Sequence, residues 1–506
     1  MKTQKVIATN RRLMRLCLFL AALNILTLKV CSASYLPVSV SASGTLGYPP
    51  YDDPLAALHR PSLYVQDPGF PPFVPPAKFA VSMVYSAWGT GASGEKLIVT
   101  LREGASLTAE FNPPLMDDPA NWYGKDFLVF GNSFFGASAF VQADSDMELI
   151  SIRGSEMVSA EPMTVSVSQD GVTWYSYSSG PFADSFAPTQ AFAWDRVQKR
   201  WGPELDFTRP LPAGLTAADF AGLKVADAID LYRDSAGGTA FDLADLPLPV
   251  HPITGRKWAR FVRVTADRLD EDGFALEGEV DAFARVSHAR PEVSIGSAKL
   301  LPDGARVDLK PAIVSAGTFE AGPFCYILSP DRSAGVRVLG RVVPQGRLVS
   351  LTGVMETEDG ERVLRATSLQ DLGETALPAP VALRVSQAGG GPFHHDPATG
   401  AGQEGVVGGA GLNTVGLPAR LHGKVISVAA QAETFTLDDG SGPPLECRAP
   451  RNPDGSGSVH PGFSLPQVGA FVEVAGIISV RRESQGGLKP VLLLRKPADL
   501  RLLALP

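Results

Sequence analysis

Hydrophobic and polar residues alternate along many short stretches of this chain. Typical strand-like stretches are residues 96–101, 126–130, 163–168 and 258–264, several of which alternate at a period of two. Alternation at a period of two indicates a β-strand with one buried face and one solvent-facing face. Long helical periodicities are few, and only residues 216–222 and 240–246 suggest short helices or turns. With 51 glycines and 42 prolines besides, the pattern predicts an all-β protein.

The last third of the chain repeats itself. Leu309, residues 326–328 and residues 346–353 recur as Leu421, residues 435–437 and residues 469–476. Each copy contains about five strands in ~80–90 residues, with a glycine-bounded strand near its middle, as in a five-stranded Greek-key barrel. The repeat therefore predicts two small β domains of one kind in tandem.

The first residues have the layout of a secretory signal peptide. Arg11, Arg12 and Arg15 precede an apolar run over residues 16–28, and small residues follow at 31–33. The run is short for a membrane span, which needs about 20 residues. We expect cleavage near Ala33, no membrane span afterwards, and a secreted or cell-surface location. An uncleaved anchor and a lipoprotein attached through Cys31 are the alternatives.

The composition divides the chain into six regions. These are a signal peptide (1–33), a large β-sandwich (34–288), a short connection (289–296), a first barrel (297–375), a flexible Gly/Pro-rich linker (376–410) and a second barrel (411–506). No linker-like stretch divides the large domain after its proline-rich entry at residues 49–76. Flexibility of the second connection is expected from its Gly-rich composition and its lack of apolar periodicity.

Charge and cysteine content exclude several classes of protein. Residues 1–33 contain six Lys/Arg and no Asp/Glu, so the remaining chain has 39 basic against 53 acidic residues. Residues 34–288 hold 18 basic and 32 acidic residues and so account for this acidic excess, which argues against binding of the large domain to a phosphate backbone and favours plain solubility or cation binding. Cys325 and Cys447 lie in different repeats, so free buried thiols are expected rather than a disulfide framework. No Cys/His spacing resembles a zinc site.

Both repeats resemble bacterial secreted OB-fold domains. The likeness covers most of 297–375 and 411–496, and is carried by residues 301–304, 324–327, 329–338 and 360–363 in the first copy and 411–417, 422–425 and 435–442 in the second. Such a barrel can bind oligonucleotides or sugars across its open face, or it can have only a structural role by packing against other parts of the protein. Because the copies carry 9 basic against 10 acidic and 10 against 8 residues, with few aromatic side chains, no nucleic-acid partner is expected.

The large domain resembles an uncharacterised family of bacterial cell-surface proteins. Its motifs are residues 126–135, 165–174, 237–245 and 261–264, spread over residues 93–286. The resemblance implies a jelly-roll sandwich related to discoidin-like, carbohydrate-binding modules. Gly131 and Thr239 stand where many relatives have an acidic residue, which weakens the transfer of a metal or ligand site.

Carboxylates are dense between residues 227 and 245. Five aspartates fall within this stretch, and Gly237 and Gly238 could let the backbone supply carbonyl ligands. Calcium prefers six to eight oxygen ligands of these kinds. Asp234, Asp242 and Asp245 are therefore the candidate ligands of a structural calcium ion, which is the one cofactor that the sequence suggests. The spacing matches no EF-hand loop, and the alternative is a set of solvated turn carboxylates.

No catalytic signature emerges from the sequence. A Gly-x-Ser-x-Gly elbow, a His-Glu-x-x-His motif and a phosphate-binding loop are all absent. The favoured function is therefore non-catalytic binding or structural interaction, with a glycan or another envelope polymer as the partner of the sandwich. One alternative is a hydrolase of extracellular polysaccharide that uses the acidic loops as its two carboxylates. A second alternative is nucleic-acid binding by the barrels.

Overall fold

The computed structural model describes residues 35–70, 72, 75–484 and 486–504, so the expected signal peptide lies outside the described residues. Strands dominate, and the all-β prediction is confirmed. This part of the chain contains two α-helices, Val225–Tyr232 and Ile295–Lys299, and none long and apolar enough to cross a membrane. Short 3-10 turns occupy Pro54–Leu58, Trp122–Gly124, Ala217–Phe220, Leu243–Asp245, Val385–Gln387, Ala430–Ala432 and Pro497–Asp499.

The N-terminal domain contains sixteen described strands in several sheets. They are β1 (Ser39–Ser43), β2 (Tyr64–Asp67), β3 (Ala77–Ala80), β4 (Val99–Leu101), β5 (Ser106–Met116), β6 (Phe127–Phe130), β7 (Phe134–Ala137), β8 (Ile152–Ser159), β9 (Thr164–Ser168), β10 (Trp174–Ser176), β11 (Phe192–Asp195), β12 (Arg200–Glu204), β13 (Thr239–Phe241), β14 (Trp258–Thr265), β15 (Gly278–Val280) and β16 (Ala282–Arg285). A five-stranded sheet has the order β1-β5-β14-β9-β10, and a three-stranded sheet has the order β13-β6-β16. Two-stranded ribbons pair β2 with β3, β4 with β15, β7 with β8 and β11 with β12.

The two larger sheets pack face to face. Inward side chains of the five-stranded sheet, including Leu107 and Val165, share one core with Phe127 and Phe241 of the three-stranded sheet. The opposite face of β6 packs against the helix Val225–Tyr232 in a second core. Because both faces of β6 are covered, its four residues are all buried and all apolar.

The first barrel is closed and contains five strands. These are β17 (Arg306–Ala316), β18 (Cys325–Leu328), β19 (Gly335–Leu339), β20 (Arg347–Glu358) and β21 (Glu361–Glu374), in the order β17-β18-β19-β21-β20. The β19–β21 pair is parallel and the other pairs are antiparallel. Apolar side chains of all five strands fill its interior.

The second repeat has the same strand neighbours as the first. Its strands are β22 (Val381–Ala382), β23 (Pro418–Ala429), β24 (Thr434–Asp438), β25 (Leu445–Arg448), β26 (Phe471–Arg482), β27 (Leu488–Leu493) and β28 (Leu500–Ala504). The sheet order is β22-β23-β24-β25-β27-β26-β28, and β23 also pairs with β26. The β25–β27 pair is parallel, like its counterpart in the first barrel. Cys325 and Cys447 are buried free thiols, as the sequence predicts.

Residues 376–410, expected to be a flexible linker, are packed against both barrels. Strand β22 pairs with β23. Gln403 is fully buried; its Oε1 accepts a hydrogen bond from the backbone N–H of Arg362 at 2.9 Å, and its Nε2 donates to the carbonyl of Gly360 at 2.7 Å. The barrels also contact each other, since Glu361 accepts hydrogen bonds from Tyr326 and from Ser479 of the second barrel. The expectation of a flexible linker therefore differs from the structure, because strand pairing and buried hydrogen bonds hold this segment against both barrels.

Ion pairs join the sandwich to the first barrel. Arg290 contacts Asp206 at 2.7 Å, Asp308 of β17 at 2.9 Å, and Asp234. Arg306 of β17 contacts Asp234 at 2.9 Å. The three carboxylates are nearly buried, so the arginines neutralise charges that would otherwise be costly to bury.

Candidate functional site

The structure places the three predicted calcium ligands in different surroundings. Asp234 is 1% exposed, and its carboxylate is occupied by the guanidinium groups of Arg290 and Arg306. Asp242 begins the 3-10 turn Leu243–Asp245 and accepts a hydrogen bond from the backbone N–H of Ala244 at 2.8 Å. Asp245 is exposed on that turn. The three do not form a group of carboxylates within ligand distance of one another.

Asp242 instead belongs to a group with Asp117 and Asp126, whose carboxylate oxygens lie within 4.8 Å of one another. Burial raises the pKa of Asp126 to about 7. Asp126 accepts hydrogen bonds from the backbone N–H groups of Leu243 at 2.8 Å and Asp118 at 3.1 Å. These bonds tie two loops to the start of β6, which gives Asp126 a structural role.

A second carboxylate group contains Glu161, Asp184 and Glu279, again with oxygens within 4.8 Å of one another. Asp184 is 2% exposed and accepts hydrogen bonds from the backbone N–H groups of Ser133 at 2.8 Å and Glu279 at 3.2 Å. Burial raises the pKa of all three carboxyl groups. A Cβ atom at Gly131 would overlap the Asp184 carboxylate, so glycine at position 131 leaves room for that acid.

Glu279 connects this group to an open cleft. The hydroxyl of Thr100 donates to its Oε1 at 2.8 Å, and burial raises the pKa of Glu279 to about 7. The cleft, with a volume of about 430 Å³, is formed by the segments around residues 47–51, 88, 98–102, 132 and 277–279. We call it the Tyr48 cleft, after its most exposed aromatic side chain.

Three aromatic side chains line the Tyr48 cleft. Tyr48 is 74% exposed, and the guanidinium of Arg102 lies 4.6 Å from the centre of its ring. The Tyr51 hydroxyl accepts a hydrogen bond from the backbone N–H of Gly89 at 3.1 Å, which fixes the loop that carries Trp88. Aromatic rings of this kind supply large apolar contact areas with a defined orientation.

Polar groups complete the lining of the cleft. Arg102 lies 3.3 Å from Glu277, so a cation and a carboxylate stand side by side near the Tyr48 ring. The side-chain oxygen of Asn132 is buried and has no hydrogen-bond partner in the described structure. Buried polar atoms are usually paired, so this oxygen is an exception within the wall of the cleft. The cleft thus combines aromatic faces with donors and acceptors, the usual composition of a small-ligand site.

Sequence reasoning missed this cleft. Tyr48 and Tyr51 flank the start of the proline-rich segment at residues 49–76, which the sequence indicates only as a domain entry. An available signal was the run Gly-Tyr-Pro-Pro-Tyr over residues 47–51, because prolines hold its aromatic residues in a loop, where ligand-binding residues often occur.

No protein-family model matches the chain. No curated protein matches it either. The geometry of the site is therefore the basis for assigning a function to this chain.

Proposed function

We propose that this protein is a non-catalytic binding protein that recognises a glycan or a related envelope polymer through the Tyr48 cleft. The observation that carries the proposal is the 74% exposure of Tyr48 beside Tyr51, Trp88 and a cation–carboxylate pair. An exposed tyrosine whose ring forms the wall of a concave polar cleft has no packing role to explain it.

The chemistry of a sugar matches this lining. A pyranose ring has an apolar face of C–H groups, which packs on an aromatic ring, and an edge of hydroxyl groups. Those hydroxyls can accept from the Arg102 guanidinium and donate to the Glu277 carboxylate. Because each contact contributes only modestly to the binding free energy, the affinity for a monosaccharide should be low, and an oligosaccharide of several linked sugar units should bind more tightly.

We further propose the finer fold assignments. Two sheets that share one core support a jelly-roll sandwich related to discoidin-like modules. The strand order of each repeat, with a parallel pair between the third and fifth strands, supports OB-like barrels. The residue pattern at positions 1–33 supports export to the cell surface or the medium, as in the bacterial surface-protein family that the sequence resembles.

A glycan array probed with the full chain tests the binding function. Titration calorimetry on the best ligand would then compare Tyr48→Ala with Phe471→Ala, because Phe471 is a 49% exposed aromatic side chain on β26 of the second barrel and does not line the cleft. We expect Tyr48→Ala to weaken binding about tenfold or more, in line with loss of an aromatic contact, and Phe471→Ala to leave it unchanged. Equal affinities for the two variants would contradict the assignment of the cleft.

A specific observation also favours the hydrolase alternative. Glu279 lines the cleft and its pKa is raised to about 7, as general acids require, and its carboxylate lies close to Glu161. Retaining glycosidases hold two carboxyl groups about 5–5.5 Å apart. Release of reducing ends from the bound glycan, abolished by Glu279→Gln with binding retained, would establish this alternative. Binding without any release would support the non-catalytic function.

A further inference from the structure

A second cavity lies between the two barrels, far in sequence from the Tyr48 cleft. It has a volume of about 590 Å³ and is bordered by the helix Ile295–Lys299, the turn before β19, and residues 381–417. Most of its wall is apolar, from Val381, Leu383, Phe393 and Leu412. We call it the Lys299 pocket. Its volume falls within the roughly 300–1,000 Å³ typical of small-molecule sites.

The amine of Lys299 is buried in the wall of this pocket. Lys299 is 4% exposed, and its Nζ donates hydrogen bonds to the carbonyls of Gly335 and Val415, each at 3.3 Å. Backbone dipoles rather than a carboxylate therefore hold the amine. An ammonium group has three donors, so these two long bonds leave one donor for a further partner. Burial lowers the pKa of Lys299 to about 8, with Glu361 opposing and Arg362 adding to that effect. The amine is thus still largely protonated at neutral pH.

The pocket has the opposite charge balance to the rest of the chain. Its lining contains two cations, Lys299 and Arg332, and no Asp or Glu, whereas the chain as a whole has a net charge of −8. A buried cation without a counter-ion is unfavourable, and an anion bound beside it would offset that cost. Leu412, which is 88% exposed, stands at the same wall, and its side chain has little other contact.

We propose that the Lys299 pocket binds a small organic anion, a carboxylate carried on an apolar body. The carboxylate pairs with the Lys299 amine, and the apolar body lies against Leu383, Phe393 and Leu412. This inference is independent of the glycan proposal, because the two sites share no residue.

Calorimetry on the full chain with three probes of equal length tests the proposal. Octanoate should bind most tightly, octan-1-ol more weakly, and octylammonium weakest, because only the first pairs with the buried cation. Lys299→Met keeps the aliphatic stem, and should reduce octanoate binding to the level of octanol. Equal affinities for octanoate and octylammonium, or no binding of octanoate, would overturn the proposal.

A second variant separates binding from folding. Leu412→Glu adds a carboxylate at an exposed position, so the melting temperature should not change, but octanoate binding should weaken about tenfold through repulsion. Ile253→Glu is the matched control, since Ile253 is also 88% exposed but lies in the sandwich. Equal octanoate affinities for the two glutamate variants would refute the proposed position of the ligand.

Discussion

Alanine substitution at two glycines of residues 376–410 tests whether this segment is packed or flexible. Gly390 and Gly408 both have a φ of +71°, a left-handed conformation that costs a non-glycine residue about 1–2 kcal/mol. A Cβ at Gly390 would overlap the carbonyl oxygen of Leu412 and lie 3.2 Å from the Cα of Asn413. A Cβ at Gly408 would have no atom within 4 Å.

The matched φ values cancel the conformational cost, so the difference between the variants measures packing alone. Forcing atoms into an occupied space costs about 1–3 kcal/mol through displaced backbone. Gly390→Ala should therefore lower the free energy of unfolding by about 1–3 kcal/mol more than Gly408→Ala does. Urea titrations followed by far-ultraviolet circular dichroism would give this difference from the midpoints, provided that the slopes agree.

Equal destabilisation by the two substitutions would refute the reasoning, because a flexible linker has no packed contact to lose. Limited proteolysis supplies an independent measurement. Arg384 is the one lysine or arginine between residues 376 and 410, and it lies on the surface. Trypsin should cut there slowly in the wild type and faster in Gly390→Ala, since cleavage requires local opening of the packed segment.

Three further predictions follow from the charges. Arg290→Met should lower the free energy of unfolding by about 3–5 kcal/mol, because it leaves nearly buried carboxylates short of a partner; Arg481→Met, which removes a 49% exposed partner from a surface pair, should cost no more than about 1 kcal/mol in the same urea titration. Burial raises the pKa of the Asp281 carboxyl group to about 7. Between about pH 4 and pH 7 the folded state therefore keeps a proton on Asp281 that the unfolded state has lost, so the free energy of unfolding falls as the pH rises through this range. Asp281→Asn should remove the contribution of this carboxyl group to the trend, while Asp126 and Glu279 keep theirs, so the stability of the variant relative to wild type should rise by up to about 4 kcal/mol between pH 4 and pH 8. Parallel pH profiles would contradict the assignment. Fluorescence anisotropy of the full chain with a labelled single-stranded oligonucleotide should show weak or no binding near physiological salt, whereas sub-micromolar, salt-sensitive affinity would favour a nucleic-acid function for the barrels.

Local patterns predicted the secondary structure and the repeat well. Alternation at a period of two places residues 163–168 and 258–264 on β9 and β14, which pair in one sheet. The repeated segments fall on equivalent strands, with Leu309 on β17 and Leu421 on β23. Both predictions use patterns that extend over only a few consecutive residues. Burial of one face of a strand imposes such a pattern directly on the sequence.

The candidate site could not be predicted in the same way. Tyr48, Trp88, Asn132 and Glu279 are brought together by strand pairing over more than two hundred residues. No single motif contains more than one of the four, because a ligand site of this kind requires only that side chains converge in space. The Gly-rich composition of residues 376–410 indicated flexibility, but Gly390 is required there by the close approach of two backbone segments.

The dense aspartates of the sandwich have a physical explanation that differs from metal binding. Arg341 of the first barrel lies 3.2 Å from Asp230, and Arg306 lies 2.9 Å from Asp234. Arg196, within the sandwich, contacts both Asp227 and Asp230. Asp230 and Asp234 therefore lie at an interface whose basic side includes Arg306 and Arg341 of the following domain, at least 72 residues further along the chain. A calcium ion at Asp234 would have to displace the two guanidinium groups that already neutralise this carboxylate. The acidic sequence indicated a cationic partner correctly, but at Asp234 that partner is arginine and not a metal ion.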